Sequence, residues 1–147
     1  MICHLYQEVK VRLPLNLPRL KKLLNNALKV MNRKAGWELT VLIVNDKKIK
    51  SLNKKFRNKN KVTDVLSFSQ REGETFNLPA EGRNYLGDIV ISWPQVKRQA
   101  KKFGQLPKKE LELLIIHGFL HLLGYDDKTL KGWRQMERWQ KKILLNI

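Results

Sequence analysis

Cysteine, acidic residues and long apolar runs are all scarce in this sequence. Cys3 is the single cysteine among 147 residues, so no disulfide bond can form within the chain, which is typical of a reducing cytoplasm. No window reaches the roughly 18 uninterrupted apolar residues of a membrane-spanning helix, and residues 1–10 lack the charged and apolar regions of a secretory signal. The sequence therefore predicts a cytoplasmic protein without a membrane partner.

The shortage of acidic residues leaves a large excess of positive charge. Thirty lysine and arginine residues accompany thirteen aspartate and glutamate residues, which gives a formal net charge of +17 at pH 7. Such an excess favours a polyanionic partner, most often nucleic acid. General solubility, or a lysine-rich composition adapted to heat, is the alternative explanation. Binding to a membrane surface fits less well, because no helix pairs a clean apolar face with a uniformly basic one.

The length and the apolar pattern predict a single globular domain, residues 1–147. At this size about 68–70% of the surface of the unfolded chain is buried, which is enough for one core. The pattern predicts strands over 2–10, 37–44, 64–68 and 85–92, and helices over 15–34, 46–57, 92–104, 107–124 and 128–145. Residues 69–84 are polar and contain Gly73, Pro79 and Gly82, which predicts a flexible loop.

One stretch, HGFLHLLGYDD, carries the clearest chemical signal. His117 and His121 are four residues apart and therefore project from the same face of a helix. Gly124 can end that helix in a left-handed turn. The chain can then reverse and bring a carboxylate, from Asp126 or Asp127, back toward the two histidines.

Two imidazoles and one oxygen ligand suit a divalent metal such as zinc, with one coordination position left open as in catalytic sites. Residues 113–123 are almost wholly apolar apart from the histidines and Gly118, which indicates a buried helix. A lone buried histidine would more often be a satisfied core residue, but the pair, the glycine turn and the carboxylate together favour a metal site. Peptidases of the His-Glu-x-x-His type carry a general base next to the first histidine. Gly118 occupies that position, which argues against peptide hydrolysis although the ligand spacing matches some of these enzymes.

The same stretch resembles the signature of the YbeY family of endoribonucleases, HGxLHLxGYDH. Ten of its eleven positions are compatible, and Asp127 stands where the family usually has a third histidine. Two further segments resemble the family: residues 53–57 followed by 63–68, and residues 86–92. Because the order and spacing of the segments also agree, the resemblance covers roughly residues 35–145.

The resemblance implies an α+β fold, in which a small mixed sheet packs against helices and a zincin-like metal site lies on a buried helix. The implied activity is metal-dependent, single-strand-specific cleavage of RNA. The implied role is maturation of the 3′ end of 16S ribosomal RNA and quality control of ribosomes. Single-stranded RNA, ribosomal RNA and the small ribosomal subunit are therefore the expected partners.

With the resemblance, His117, His121 and Asp127 become the predicted metal ligands, and Asp126 remains the rival oxygen ligand or a capping residue. Zinc is the expected metal. A carboxylate in place of an imidazole lowers the positive charge of the centre and shifts its preference toward harder ions. Manganese and magnesium are therefore alternatives.

Arg57 falls on a functional arginine of the family pattern and is the candidate catalytic residue. A guanidinium can bind two phosphate oxygens and stabilise charge that develops in a transition state. Arg57 lies in a basic run, residues 47–61, which by itself would indicate a solvated surface. The lysines of this run are expected to bind the RNA backbone with salt-sensitive, sequence-independent affinity: Lys54, Lys55, Lys59 and Lys61.

The attacking nucleophile stays open at this stage. A divalent ion can lower the pKa of a water molecule and polarise a phosphoryl oxygen, or the ribose 2′-hydroxyl can attack, which would restrict cleavage to RNA. A non-catalytic RNA-binding ribosome assembly factor with a structural or vestigial metal site is the main alternative, because Asp127 departs from the family pattern.

Several other residues receive structural interpretations. Asp64 and Asp88 are expected to make strand-end or capping hydrogen bonds, and His4 is expected to be unrelated to the metal. Ser67 is a candidate for shaping the cleft. The remaining expectation is core packing for three residues of the last helix: Trp133, Trp139 and Leu144.

Overall fold

The computed structural model describes residues 1–70 and 84–147, which form four strands and five helices. The strands are β1 (Ile2–Gln7), β2 (Trp37–Val44), β3 (Val65–Ser69) and β4 (Asn84–Ser92). The helices are α1 (Leu17–Val30), α2 (Asp46–Arg57), α3 (Trp93–Lys102), α4 (Pro107–Leu122) and α5 (Leu130–Leu145).

The four strands form one mixed sheet in the order β1-β2-β4-β3. β1, β2 and β4 run parallel to one another, and β3 pairs antiparallel with β4 at the edge of the sheet. The expected α+β fold with a small mixed sheet and packed helices is therefore confirmed. Each predicted strand and helix is present, and the largest differences are the earlier end of β1 and the shorter α1. Most of the predicted loop, residues 71–83, lies outside the described residues.

Side chains alternate along the strands between two apolar clusters, one on each face of the sheet. On β4, Ile89 and Ile91 join the larger cluster, which also contains residues of α1, α3, α4 and α5. Val90 points to the smaller cluster, where Ile49 of α2 covers the other face. The helix with the two histidines and the helix with Arg57 therefore lie on opposite faces of one sheet.

α4 is buried along most of its length, as its apolar sequence predicts. It carries two buried acidic residues, and both accept hydrogen bonds from other side chains. The Glu112 carboxylate accepts two hydrogen bonds from the Arg19 guanidinium, at 2.9 and 3.1 Å. Glu110 accepts hydrogen bonds from Gln99 and Gln105. Pairing offsets the desolvation of these carboxylates, and the contacts fix α4 against α1 and α3.

The last helix corrects one prediction. Trp139 and Leu144 pack against the larger apolar cluster, as expected. The interpretation of Trp133 as a core residue was wrong, since 49% of it is exposed. Helical spacing alone did not predict which of the two tryptophans is buried, because α5 buries only a narrow stripe that includes Met136 and Ile143.

Gly118 allows α4 to lie close to the sheet. A Cβ atom at this position would sit 2.9 Å from Cγ2 of Ile89 and 3.1 Å from Oγ of Ser67. The position thus faces the sheet, and no space exists there for a larger side chain. A packing requirement therefore explains the glycine that stands where a peptidase would carry its general base.

We expect Gly118→Ala to lower the free energy of unfolding by about 1 kcal/mol. Overpacking against the branched Ile89 side chain costs about 1–3 kcal/mol, while replacing a helical glycine returns about 1 kcal/mol. Urea titration would measure the change. In a double-mutant cycle with Ile89→Ala, the two substitutions should cost less together than the sum of each alone. A variant more stable than the wild type would contradict the close-approach explanation.

Candidate metal centre

A glycine turn at the end of α4 positions the third member of the candidate site. The amide of Tyr125 donates to the Leu120 carbonyl, and the amide of Gly124 donates to the His121 carbonyl, both at 3.0 Å. Gly124 has a φ of +100°, and this pair of bonds is the Schellman arrangement. The left-handed turn predicted at Gly124 is confirmed, and it directs residues 125–127 back toward the histidines.

Three side-chain atoms converge at this turn. The Nε2 atoms of His117 and His121 are 3.0 Å apart, and Oδ2 of Asp127 lies 3.7 and 3.8 Å from them. In the plane of these three atoms, the point equidistant from them lies about 2.0 Å from each, which is close to the length of zinc–nitrogen and zinc–oxygen bonds. The cluster could therefore hold a metal ion.

The hydrogen bonds behind the imidazoles direct both lone pairs into the site. His121 Nδ1 lies 3.0 Å from the Tyr125 carbonyl oxygen, and His117 Nδ1 lies 2.7 Å from Oε1 of Gln140. Both oxygens accept, so each Nδ1 carries the proton and each Nε2 carries a lone pair. Two lone pairs facing each other at 3.0 Å repel, and a cation held between them and the Asp127 carboxylate would remove that repulsion.

The electrostatic environment of His121 favours its neutral form. Burial lowers the pKa of His121, and the neighbouring His117 lowers it further, while Asp127 acts in the opposite direction. A metal competes with protons for histidine nitrogens. A lowered pKa therefore keeps His121 ready to bind a metal at a pH where an exposed histidine would already be partly protonated.

The two candidate carboxylates have different surroundings. Asp126 Oδ1 accepts a hydrogen bond of 2.8 Å from the amide of Lys128, which stabilises the turn. Asp127 instead reaches both imidazoles, and 39% of its side chain is exposed. The geometry thus favours Asp127 as the oxygen ligand and gives Asp126 the capping contact that the sequence left open.

We expect Gln140→Leu to weaken metal binding by about 10–100-fold. The substitution keeps much of the side-chain volume but removes the acceptor that fixes the tautomer and orientation of His117. Competition with a chromophoric chelator would measure the affinity. Gln135→Leu, an exposed glutamine on the same helix, should bind metal as the wild type does. Equal affinity in the two variants would show that Gln140 does not support the site.

The three clustered side chains open into a cleft of about 660 Å³ along the edge strand β3. Arg57, Lys59 and Lys61 line this cleft, together with Lys128 from the glycine turn. Lys54 and Lys55 lie on exposed positions of α2 and are not part of the lining. The structure thus brings together two of the four lysines predicted to bind RNA and adds one that the sequence interpretation missed.

Arg57 comes from the α2 side of the sheet and is held at the edge of β3. Its Nη2 donates to the Ser67 carbonyl oxygen at 2.6 Å, and its guanidinium lies 5.5 Å from the centre of the Phe68 ring. Ser67 Oγ in turn donates to the Gly118 carbonyl at 3.3 Å. Ser67 therefore lies between Arg57 and α4. The expectation that it shapes the cleft agrees with its place in the lining.

The contacts of Asp64 and His4 agree with their structural interpretations, whereas the contact of Asp88 differs from its interpretation. Asp64 Oδ1 accepts a hydrogen bond of 2.7 Å from the amide of Val65, where β3 begins. Asp88 lies in the middle of β4 and accepts a hydrogen bond from the Tyr85 hydroxyl, so the predicted strand-end or capping bond was wrong for this residue. Burial together with Asp88 raises the pKa of this tyrosine. His4 contacts Glu38 at 2.8 Å on the opposite face from α4, away from the cluster.

Gln140 and Lys128 were missed by the sequence interpretation for different reasons. Gln140 is 23 residues from His117 in the chain and lies on an amphipathic helix with ordinary periodicity, so no local signal marks it. Lys128 directly follows the histidine stretch, and its adjacency to the predicted ligands was a usable signal.

Within the described residues, no helix is both long and apolar enough to cross a membrane.

Fold and site together define a small α+β protein with a candidate metal centre of the hydrolase type. The family model described as "Endoribonuclease YbeY" matches residues 6–147. An "Endoribonuclease YbeY" of Bacillus mycoides is 40% identical over 128 residues, covering 85% of this chain and 82% of that protein. An "Endoribonuclease YbeY" of a Geobacillus species is 41% identical over 128 residues, covering 85% of this chain and 82% of that protein. The chain belongs to the YbeY family.

The fold is also found in a solved structure. A Thermotoga maritima protein studied in solution matches 97% of this chain and 89% of its own length, with a TM-score of 0.59 and 24% sequence identity. At this level of identity the likeness concerns the fold alone, and it agrees with the mixed sheet and the helices described above.

Proposed function

We propose that this protein is a metal-dependent endoribonuclease that hydrolyses phosphodiester bonds in single-stranded RNA. The observation that carries the proposal is one shared cleft, in which the His117, His121 and Asp127 cluster lies with Arg57 and three lysines. A metal-binding cluster beside guanidinium and ammonium groups suits a phosphodiester substrate. The printed names of the relatives and the net charge of +17 support the same assignment.

His117 and His121 would hold the metal through Nε2, and Asp127 would hold it through Oδ2. When bound, a divalent ion supplies Lewis acidity and makes a nucleophile available near neutral pH. Gln140 and the Tyr125 carbonyl keep the imidazoles in the ligating tautomer. Two histidines and one carboxylate suit zinc, and the carboxylate also leaves manganese or magnesium as candidates.

The cationic residues of the cleft would bind and orient the substrate. Arg57 has the fork geometry for two oxygens of the scissile phosphate, and its bond to Ser67 sets its direction. Lys59, Lys61 and Lys128 would contact neighbouring phosphates without reading sequence. Lys54 and Lys55 would extend this basic surface outside the cleft.

Peptide hydrolysis is disfavoured by the environment of Gly118. This position faces Ile89 and Ser67, so neither the present residue nor a larger one could serve as a general base beside the metal. A phosphodiester can be cleaved without that base when the attacking group is activated by the metal or is the ribose 2′-hydroxyl.

At the cellular level, we propose a cytoplasmic role in maturing the 3′ end of 16S ribosomal RNA and in ribosome quality control. The expected partners are ribosomal RNA and the small ribosomal subunit. The family membership and the basic cleft support this role, because a backbone-binding surface suits RNA segments that are exposed on a ribosomal particle.

A non-catalytic RNA-binding assembly factor is the second candidate, and Asp127 is the observation that favours it. A carboxylate ligand reduces the net positive charge of a metal centre and should leave bound water less acidic than a third imidazole would. Such a protein would bind RNA tightly but cleave none, and its metal would only stabilise the fold.

Cleavage of end-labelled single-stranded RNA by purified protein tests the proposal. Zinc, manganese and magnesium would be supplied in turn, beside a chelator-treated sample, and duplex RNA and single-stranded DNA would serve as comparison substrates. We expect internal cleavage of single-stranded RNA only in the presence of metal. Tight RNA binding without cleavage under every metal condition would instead identify the assembly factor.

A further inference from the structure

An exposed aromatic ring lies beside Arg57, the arginine of the cleft. Phe56 is the second-last residue of α2, and 54% of it is exposed. Its ring contacts the Phe68 ring edge-on, with the two ring centres 5.2 Å apart. The Arg57 guanidinium lies 5.5 Å from the centre of the same Phe68 ring. The exposed ring and the group proposed to bind the scissile phosphate therefore flank one shared aromatic side chain.

The backbone that carries Phe56 is held in place at the end of α2. Asn58 ends the helix in the left-handed conformation, with a φ of 58°. The buried Asn53 side chain donates to the Lys61 carbonyl at 3.0 Å, and the Asn53 carbonyl accepts a bond of 3.2 Å from the Lys59 amide. The last turn of α2 is thus tied to the segment that leads into the cleft, and it presents the ring in a defined place.

Packing accounts for only part of the position of Phe56. Ile49 and Leu52 of α2 belong to the smaller apolar cluster, and Phe56 continues their helical stripe. Among the described residues, however, Phe56 lies outside that cluster. Lys55 Nζ lies 5.2 Å from the centre of its ring. Such a contact is weak at an exposed site, so a flat ligand can replace the ammonium group, which then remains available for a phosphate.

We propose that Phe56 is a stacking platform for one base of the RNA strand whose phosphate is bound by Arg57. The inference rests on the proposed function, because it takes single-stranded RNA as the substrate and Arg57 as its phosphate ligand. An exposed ring among cationic side chains is the combination with which proteins bind single strands. Every base has a π-face, so the platform would accept all four bases.

The platform would give the cleft a means to select single strands. Phosphates are present in single strands and duplexes alike, so the lysines of the cleft bind both. A base within a duplex is stacked on its neighbours and is not free to lie on a side chain, whereas a splayed base of a single strand is. Phe56 would therefore favour single-stranded RNA without favouring a sequence.

Tyr6 offers a matched control for Phe56. It is also an aromatic residue with a largely exposed side chain, at 59%. It pairs with Leu42, which packs against the smaller apolar cluster, so Tyr6 and α2 lie on the same face of the sheet. β1, however, is at the opposite edge of the sheet from β3 and Arg57.

Binding of a hexanucleotide and of an abasic backbone of the same length tests the proposal, because the two ligands differ only in their bases. Full-length protein would be titrated with labelled 2′-O-methyl oligomers, and binding would be followed by fluorescence anisotropy. In the wild type, the dissociation constant of the abasic oligomer should be about tenfold higher than that of the hexanucleotide. Phe56→Leu keeps an apolar contact with Phe68 but loses the flat ring, so this ratio should fall severalfold. Phe56→Tyr and Tyr6→Leu should keep the wild-type ratio.

Cleavage kinetics provide a second measurement. Stacking would bind the strand without touching the reacting atoms, so Phe56→Leu should raise KM for single-stranded RNA and leave kcat nearly unchanged. A loss confined to kcat would contradict the platform.

The outcomes separate this proposal from the proposed function. An equal ratio in the wild type and in Phe56→Leu would overturn the platform, as would equal affinity of the wild type for both oligomers. When metal-dependent cleavage of single-stranded RNA accompanies either result, the platform alone is rejected. A ratio that depends on Phe56 in a protein that cleaves no RNA would support the platform and reject the nuclease.

Discussion

His121→Ala should abolish metal binding and reduce RNA cleavage by at least about 10³-fold. The substitution removes one of the three converging ligand atoms and the partner of the Tyr125 carbonyl. Metal-assisted hydrolysis draws several kcal/mol of transition-state stabilisation from the ion, and each 1.4 kcal/mol corresponds to about a factor of ten in rate. Elemental analysis of untagged protein, together with an RNA cleavage assay, would measure both losses.

His4, the histidine of the sequence that lies outside the candidate metal site, offers the matched control. His4 is half-buried on β1 and contacts Glu38, on the opposite side of the sheet from α4. His4→Ala should therefore keep both the bound metal and the cleavage rate. Retention of about one metal ion per chain in His121→Ala would contradict the assignment of the cluster. Loss of metal with unchanged cleavage would instead show that the reaction does not need the ion.

Arg57→Ala should lower the rate of RNA cleavage by about 10²–10³-fold while metal binding is unchanged. A positioned cationic donor stabilises the charge that develops on the phosphoryl oxygens, and removal of one such donor typically has an effect of this size. Arg57 lies at the edge of β3 and contributes no atom to the metal cluster. Single-turnover cleavage, measured beside a metal titration, separates the two properties.

Two further variants distinguish a role in the reaction from general charge. Arg57→Lys keeps the charge but loses the planar fork, so it should recover only part of the rate. Lys54→Ala removes an exposed charge from the same helix outside the cleft, so it should weaken RNA binding slightly and reduce its salt dependence, with little effect on the rate of the bound complex. Equal rate losses in Arg57→Ala and Lys54→Ala would indicate that Arg57 acts only as one more backbone contact.

The elements of the fold were largely predictable because their signals are local. Asn45 accepts a hydrogen bond from the Lys48 amide at the start of α2, and Ser92 caps α3; asparagine and serine are residue types that favour this position. Gly124 ends α4 in the left-handed turn that its position suggested. The exposure of Trp133 could not be predicted in the same way, since it depends on which stripe of α5 faces its neighbours.

The site was predictable to the extent that it is continuous in sequence. His117, His121 and Asp127 come from one helix and the turn that follows it, so their convergence follows from helical geometry and one glycine. The contact between His117 and Gln140 joins two helices, and no periodicity in either helix encodes it. Whether a lysine of the basic run lines the cleft depends on where α2 ends relative to the edge of the sheet. Lys59 and Lys61 follow the end of α2 and line the cleft, whereas Lys54 and Lys55 lie on α2 outside it.

The closeness of the three candidate ligands along the chain bears on folding. A metal that bridges residues 117 and 127 closes a short loop, and short loops lose little chain entropy when they are joined. The apolar clusters, in contrast, are built from residues throughout the described chain. Closure of this loop by the ion would therefore contribute little chain entropy to folding, which depends mainly on the apolar clusters.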